Sequence, residues 1–575
     1  MLKSLRFTAL LASLILAGVL IAIPGHNALG QTVDTQRLIT GVVYDRQQQP
    51  VVNAVVTLHT AGVPDPLAEA VTQPDGRYAL TPPAVLPDQL SVRIEREHFQ
   101  PSEVMLDAAA IQTLRANHPV SLPDTIMLRQ VTLSLWIAAL VFVGMLVLIG
   151  LGKLHNTLAA LLGMAVIFAV SYLGRPLSDE LFIFNFQGAL HYIDWNVIFL
   201  IMGMMIVIAI VERTGVFQWL AFAAYRISRG RIWLLVIILM LITSVASAAL
   251  DNVTTMLLMT PITVQIALAL SLNPLTLLIP EVLASNVAGI STLIGTPTNI
   301  LIGSYAHLSF TDFLTNLTPG VLLALAGLAL YCLYIYRHDL RSSGDGSVSS
   351  LLLDKLAERA AITEPDHLKK VGVVGGFMLI LFIMGEAIHL IPAVTALIGA
   401  TLLLVWIRPD IEEMIEAVDW TTLVFFIGLF VVVGAVQEVG LISFIADGIG
   451  QIVGNSLPLA MLIVIWFSAL ISTVIANIPF TAAMLPVVGY LTATVPGAQS
   501  NVLYYCLSVG SAMGGNGSLI GASANMVTSG IADRAGYPVT YGYFFKKGFP
   551  ALLVTVSLAT LWLFFHFLIN APPVP

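Results

Sequence analysis

From Val131 to about residue 570 the chain is almost continuously apolar. Such a run is stable only where lipid replaces water, and lipid admits only structures that satisfy every backbone polar group internally. Composition agrees: 57% of the 575 residues are hydrophobic and 10% charged, against about 25% charged in a soluble domain. The chain therefore reads as a polytopic α-helical membrane protein whose first partner is the lipid bilayer. The net charge of −8 lacks the clustered Lys and Arg that nucleic acid requires. Cys332 and Cys506 both lie in apolar runs, so neither a disulfide framework nor any metal site is expected. There is no G-x-x-x-x-G-K-[ST] phosphate loop. Transport would then be driven by a gradient or by a separate ATPase subunit, with no cofactor beyond Na+ or H+ as coupling ion.

Two segments precede the apolar region. Residues 1–30 read as a signal peptide, with basic Lys3 and Arg6, an apolar Leu10 to Ile23, and small residues at Ala28-Leu29-Gly30. Residues 37–128 are polar, Pro-rich and alternate with period two. Strands are expected at Leu38–Asp45, Val51–Thr60, Ala68–Leu80 (broken by the turn Gln73-Pro74-Asp75-Gly76) and Gln89–Glu97. This predicts a small antiparallel β-sandwich. Gly41-Val42-Val43-Tyr44-Asp45, Pro50-Val51, Ala54-Val55-Val56 and Asp75-Gly76-Arg77-Tyr78 resemble the carboxypeptidase-regulatory-like domain, which implies no chemistry and leaves a docking or spacer role.

Candidate spans are 131–152, 156–173, 193–212, 275–302, 317–336, 371–391, 393–408, 420–437, 500–530 and 549–570. Two further stretches, 232–270 and 458–492, break at Asp251-Asn252-Val253-Thr254-Thr255 and at Asn477-Ile478-Pro479-Phe480-Thr481. A turn at membrane depth without a loop must be buried in protein, so each stretch is expected to be a re-entrant hairpin. Arg213, Arg226, Arg229 and Arg231 form one basic group. Arg337, Arg341, Lys355, Arg359, Lys369 and Lys370 form a second, and Arg534, Lys546 and Lys547 a third. With the sandwich extracytoplasmic, all three fall on the inner side of a plasma (inner) membrane.

The two halves repeat each other. Asp194-Trp195 and Asp419-Trp420, Gly203 and Gly428, Gly215 and Gly440, Asn252 and Asn477, and Pro261 and Pro486 are all 225 residues apart. Leu293-Ile294-Gly295 and Leu519-Ile520-Gly521, with Asn299 and Asn525, are 226 apart. The expected organisation is a repeat over 131–336, a cytoplasmic linker over 337–370 and a second repeat over 371–570. Each repeat holds about five spans plus one hairpin, so the odd count inverts the second relative to the first. Inverted repeats with paired broken helices are the architecture of secondary transporters.

No catalytic residue is expected; the chemistry falls to ligand-binding groups. Asp251 is the only ionisable residue between Arg231 and Glu281, and a carboxylate at that depth costs about 2.5–3.5 kcal/mol. It is read as a coupling group as well as a helix cap, with Asn252, Thr254 and Thr255 beside it and Asn477 and Thr481 at the other hairpin. The segments Ser285–Asn299 and Ser511–Asn525 are too rich in Gly, Ser, Thr and Asn for lipid-facing helix. Ser285, Asn286, Thr296, Asn299, Asn516, Ser518, Ser523 and Asn525 are expected to line unwound helices. Glu281 is the second coupling candidate, with an interfacial position as the competing reading. His191, Glu386 and Glu438 are expected to be solvated.

These motifs resemble the ion transporter superfamily. Asp251-Asn252-Val253-Thr254-Thr255 with Pro261, Glu281 before Ser285-Asn286, and Gly515-Asn516-Gly517-Ser518-Leu519-Ile520-Gly521-Ala522-Ser523-Ala524-Asn525 are most similar to its P protein and arsenite permease branch, among the citrate-transporter-like permeases. The hairpin tips at Asn252 and Asn477 also resemble those of divalent anion/sodium symporters. The resemblance implies a midplane site between hairpin tips and unwound helices, a homodimer and elevator-like alternating access. It implies a secondary transporter of a small anion or a metalloid oxyacid such as arsenite. A sodium/proton antiporter and a non-transporting receptor using the sandwich are the alternatives. Thr296 and Ala476 stand where that branch carries carboxylates, which leaves Asp251 and Glu281 as the titrating groups.

Overall fold

A computed structural model describes residues 37–46, 50–60, 63, 65–83, 85–342 and 362–569. The expected signal peptide, and Lys355 and Arg359 of the linker, lie outside the described residues. The chain divides into two compact units, Met1–Gln130 and Val131–Pro575.

In the first unit the alternating pattern becomes strands β1 (Ile39–Asp45), β2 (Val55–His59), β3 (Ala68–Val71), β4 (Arg77–Leu80), β5 (Ser91–Glu95), β6 (Ser102–Met105), β7 (Val120–Ser121) and β8 (Thr125–Met127), with helix α1 (Ala108–Arg115) after β6. One sheet runs β4-β1-β7, with β8 also on β1, and the other β3-β2-β5-β6. Ile39, Val43, Val56, Leu58, Leu80, Val92, Ile94, Leu114 and Met127 are buried between them. The expectation of an antiparallel sandwich needs correction. β1 pairs in parallel with β7 and β8, because the chain returns through α1, a crossover too long for a hairpin. At Gln73–Gly76 the turn closes as expected, with Gly76 N–H donating to Gln73 O at 2.9 Å and Gly76 at φ 75°.

In the second unit α2 (Leu133–Gly150) and α3 (Asn156–Gly174) precede the short α4 (Phe186–His191). There follow α5 (Trp195–Arg213), α6 (Val216–Ser228), α7 (Ile232–Ala249), α8 (Asn252–Ala269), α9 (Leu275–Ala288), α10 (Pro297–Tyr305), α11 (Phe310–Ile335) and α12 (Arg337–Ser342). The second half comprises α13 (Pro365–Met384), α14 (Pro392–Ile407), α15 (Ile411–Glu416), α16 (Trp420–Glu438), α17 (Leu441–Val453), α18 (Leu457–Ser472), α19 (Asn477–Thr494), α20 (Val502–Gly514), α21 (Ser523–Arg534) and α22 (Tyr541–Phe564). Among the described residues, nine helices are long and apolar enough to cross a membrane.

Element boundaries recur at the spacing of the motifs. α5 and α16, α6 and α17, and α8 and α19 start 225 residues apart, and α10 and α21 start 226 apart. Local chemistry explains why those residues repeat. Asp194 and Asp419 are N-caps, each accepting backbone N–H groups of the first turn of α5 or α16. Gly215 and Gly440 sit at φ 75° and 84°, the left-handed position that ends one helix and opens the next. Gly203 and Gly428 mark close crossings: a Cβ on either would lie 3.0 Å from the carbonyl carbon of Ala396 or Ala160. So α5 packs tightly on α14, and α16 on α3.

The amphipathic helices α6 and α17 were absent from the expected spans. Each is 13 residues long, too short to span lipid, so a hydropathy reading tuned to about 20 residues passes over it. The stretches 275–302 and 500–530, expected as spans, are each two helices. A 3-10 turn at Gly289–Ser291 or Gly515–Gly517 ends the first helix, and extended backbone leads to the next.

Candidate functional site

Helices α7 and α8 are joined at Leu250-Asp251 alone. Thr243 and Ser247 of α7 bond Glu281 and Ser285 of α9, the same separation twice, so α7 and α9 run parallel. Asn252 and Thr263 of α8 bond Asn286 and Glu281, so α8 runs against α9. Hence α7 and α8 form an antiparallel hairpin whose tip reaches the end of α9.

At that tip Asp251 accepts the N–H groups of Val253 and Thr254, each at 2.9 Å, and the Thr254 hydroxyl at 2.5 Å. Thr255 Oγ1 donates to Asp251 O at 2.9 Å. Asp251, Thr254 and Thr255 thus build the first turn of α8, with the carboxylate facing the positive end of the helix. The other tip is built differently. Ala476 precedes α19 with no side-chain cap, and Thr481 Oγ1 donates to Asn477 O at 2.7 Å.

Where the helices break, carbonyls that would be orphaned in lipid find hydroxyl and amide donors. Ser247 Oγ donates to Ser285 O at 3.0 Å and Ser472 Oγ to Ser511 O at 2.6 Å. Thr292 Oγ1 donates to Ala248 O, and Ser518 Oγ to Thr473 O, both at 2.5 Å. Asn299 Nδ2 donates to Ile290 O at 3.0 Å and Thr292 O at 2.8 Å, and Asn525 Nδ2 to Gly515 O at 2.8 Å and Ser518 O at 2.9 Å. The glycines let these strands approach: a Cβ on Gly289 would lie 2.7 Å from Gly295 O, and one on Gly521 2.8 Å from Gly515 O.

Asparagines then connect the halves. Asn252 Nδ2 donates to Asn286 Oδ1 at 2.8 Å, and Asn286 Nδ2 donates to Asn516 Oδ1 and Asn525 Oδ1, both at 2.9 Å. Asn516 Nδ2 donates to Leu283 O at 3.2 Å. Ser508 Oγ, from α20, donates to Asn299 Oδ1 at 2.6 Å. All of these side chains are buried. The cluster offers amide and hydroxyl donors and acceptors, with Asp251 as its nearest charge along the chain. Such groups bind an oxyanion or a neutral oxyacid by hydrogen bonding.

Of the residues expected at the site, Asn252, Asn286, Asn516 and Asn525 form one network. Asn299 joins the halves through Ser508, Ser518 bonds backbone at its break, and the Ser285 hydroxyl donates to Ser247 Oγ. Thr296 shares a hydrogen bond with Thr298 at 3.1 Å. Ser523 is half-buried at the start of α21, outside the network. Glu281 is fully buried in α9. Ser247, Ser472, Thr292 and Ser508 were missed. Ser247 and Ser472 carry a signal, since they too are 225 residues apart; Ser508 carries none. Glu386 borders a cavity of about 430 Å³, with Asn196, Ser304, His307, His389 and, from the broken segment, Leu293 and Ile300.

A model of the citrate transporter family matches residues 145–510. The chain belongs to that family. An uncharacterized transporter of Mycobacterium tuberculosis is 36% identical over 434 residues, covering 75% of this chain and 99% of the relative. The 46 kDa membrane protein of Mycobacterium leprae is 34% identical with the same coverage. The human P protein is 33% identical over 508 residues, covering 74% of this chain and 59% of the P protein. Family membership and the apolar helices make the chain a multi-pass membrane protein of a transporter family, not an enzyme.

Proposed function

We propose that the chain is a secondary active transporter of the plasma (inner) membrane, moving a small anion or a metalloid oxyacid and driven by a Na+ or H+ gradient. The observation that carries this reading is the buried Asn252–Asn286–Asn516/Asn525 network, which ties one hairpin tip to the broken helices of both halves. Polar groups buried where helices unwind are costly in lipid and mark transport pathways. Membership of the citrate transporter family supports an anionic substrate. In this reading the halves are inverted repeats in a homodimer, the hairpins are re-entrant, and the sandwich is extracytoplasmic. Asp251 and Glu281 are the coupling carboxyls.

Flux into proteoliposomes tests it with labelled citrate and arsenite as probes. Gradient-driven uptake of either is expected. Sodium-dependent proton movement without either probe would instead make the cation the substrate. Probe binding without any flux would sink both transport readings in favour of a receptor.

A further inference from the structure

Glu281 occupies an unusual place. Its side chain is fully buried in α9, between α7 and α8, and Oε1 accepts hydroxyls from Thr243 at 3.4 Å and Thr263 at 3.1 Å. Oε2 is buried without a hydrogen-bond partner. Two more buried hydroxyls without a partner neighbour its hydrogen-bond donors in sequence, Ser244 next to Thr243 and Thr260 one turn before Thr263. Among the described residues no cation is paired with this carboxyl. Helices α7 and α8 carry no ionisable side chain. Of the other elements packed on α9, α11 carries Asp312, Tyr331, Cys332 and Tyr334; α20 carries Tyr504, Tyr505 and Cys506; α21 carries Asp533 and Arg534; and α22 carries Tyr541, Tyr543, Lys546 and Lys547. Among the described residues none of these is hydrogen-bonded or ion-paired to Glu281.

An ionised carboxylate sealed in such a site, with one oxygen bare, costs many kcal/mol, whereas a neutral acid needs only partners for its polar atoms. We infer that Glu281 carries one proton per transport cycle, held as a neutral carboxyl whenever the α7–α8 hairpin is packed on α9. This assignment rests on the proposed transport function and names the coupling ion and its carrier. Opening the hairpin admits water to Oε2; the O–H bond breaks, the proton passes to that water, and the carboxylate remains. The hairpin repacks only after a proton from the other side has rebuilt the O–H bond. One turn along α9, Ser285 donates to Ser247 Oγ at 3.0 Å, and the residue after it, Asn286, accepts from Asn252 of the hairpin tip, so α8 touches both the carboxyl and the asparagine network.

The second half lacks the device. The positions equivalent to Thr243, Thr263 and Glu281 are Ser468, Val488 and Leu507, and Ser468 Oγ is buried without a partner. The surrounding helices are duplicated and the acid is not, which sets one such proton per chain.

Infrared difference spectroscopy on the full chain in lipid, without substrate, reads the protonation state directly. Wild type at neutral pH should show a protonated-carboxyl C=O band that is lost in Glu281→Gln; identical spectra overturn the inference. Thr263→Val keeps the acid but removes a hydrogen bond to Oε1, so the band should move to higher frequency. A stationary band overturns the assignment even if Glu281→Gln fails to fold. In proteoliposomes, Glu281→Gln should lose the acceleration of citrate or arsenite uptake by a pH gradient; retained acceleration overturns the inference. If wild type moves neither probe, the transport reading fails for them, and the band alone decides the state of Glu281.

Discussion

Asn286 is the residue whose replacement most directly tests how the two halves are joined. It makes three side-chain hydrogen bonds, at 2.8, 2.9 and 2.9 Å. Side-chain hydrogen bonds between membrane helices average about 0.6 kcal/mol and reach about 1.7 kcal/mol. Asn286→Leu, which leaves no large cavity, should therefore destabilise the protein by about 2 kcal/mol, with about 5 kcal/mol as the ceiling. The partners limit the loss: Asn525 keeps its bonds to Gly515 O and Ser518 O, and Asn516 its bond to Leu283 O. Double-mutant cycles separate the contributions. Pairing Asn252→Ala with Asn286→Leu measures the docking of the hairpin tip, and pairing Asn525→Ala with Asn286→Leu the contact between halves. Each cycle should return a coupling energy of about 0.6–1.7 kcal/mol, read from equilibrium unfolding in mixed detergent micelles. If both couplings fall within the roughly 0.3–0.5 kcal/mol expected of independent sites, the network does not bind tip to break and the reasoning is wrong.

The remaining predictions concern single positions. Asp251→Ala should cost about 1 kcal/mol through loss of the α8 cap, while Asp251→Asn should stay within about 0.5 kcal/mol of wild type; equal losses would show that the charge, not the cap, stabilises the tip. Ala476→Asn should gain about 1 kcal/mol in thermal unfolding, because φ −53° and ψ 136° already suit a capping residue and a neutral amide avoids the cost of a carboxylate at that depth; no gain would mean that those N–H groups have other partners. Gly521→Ala would place a Cβ 2.8 Å from Gly515 O and 2.9 Å from Ser472 O. It should cost about 1–3 kcal/mol, whereas Gly144→Ala, with nothing within 4 Å, should leave detergent stability unchanged. In the sandwich, burial pushes the Tyr78 phenol up to about 12, and a Cβ on Gly41 would lie 2.6 Å from its Oη. Gly41→Ala should lower that unit's calorimetric transition by about 1–3 kcal/mol, and an unshifted transition would refute the packing.

What could be read in the sequence followed from chemistry that acts locally. Asp194 and Asp419 cap helices, Gly215 and Gly440 take left-handed backbone, and Asn299 and Asn525 bond carbonyls within ten residues of themselves. Those demands hold wherever the fold is repeated, so the residues recur at fixed spacing. What could not be read depends on contacts between distant segments. Ser508 meets Asn299 across 209 residues, and no spacing rule links them. The burial of Glu281 depends on α7 and α8 folding back over α9, which a span count cannot express. The parallel pairing of β1 with β7 and β8 is likewise a consequence of topology, since period two reports a half-buried strand and not its partners.

The comparison of halves separates scaffold from chemistry. Crossing glycines, helix caps and carbonyl-binding asparagines are present twice, in the same register, because each half must satisfy its own backbone. Three groups at the first hairpin have no equivalent at the second: Asp251 stands against Ala476, Asn286 against Ala512 and Glu281 against Leu507. Had these served only to hold the helices, the second half would need them equally, yet it builds α18–α20 without them. Helix packing alone therefore does not account for the carboxyls. In the proposed cycle the asymmetry has a direct use: both hairpins bound the substrate site, while a single hairpin, the one packed over Glu281, senses the proton.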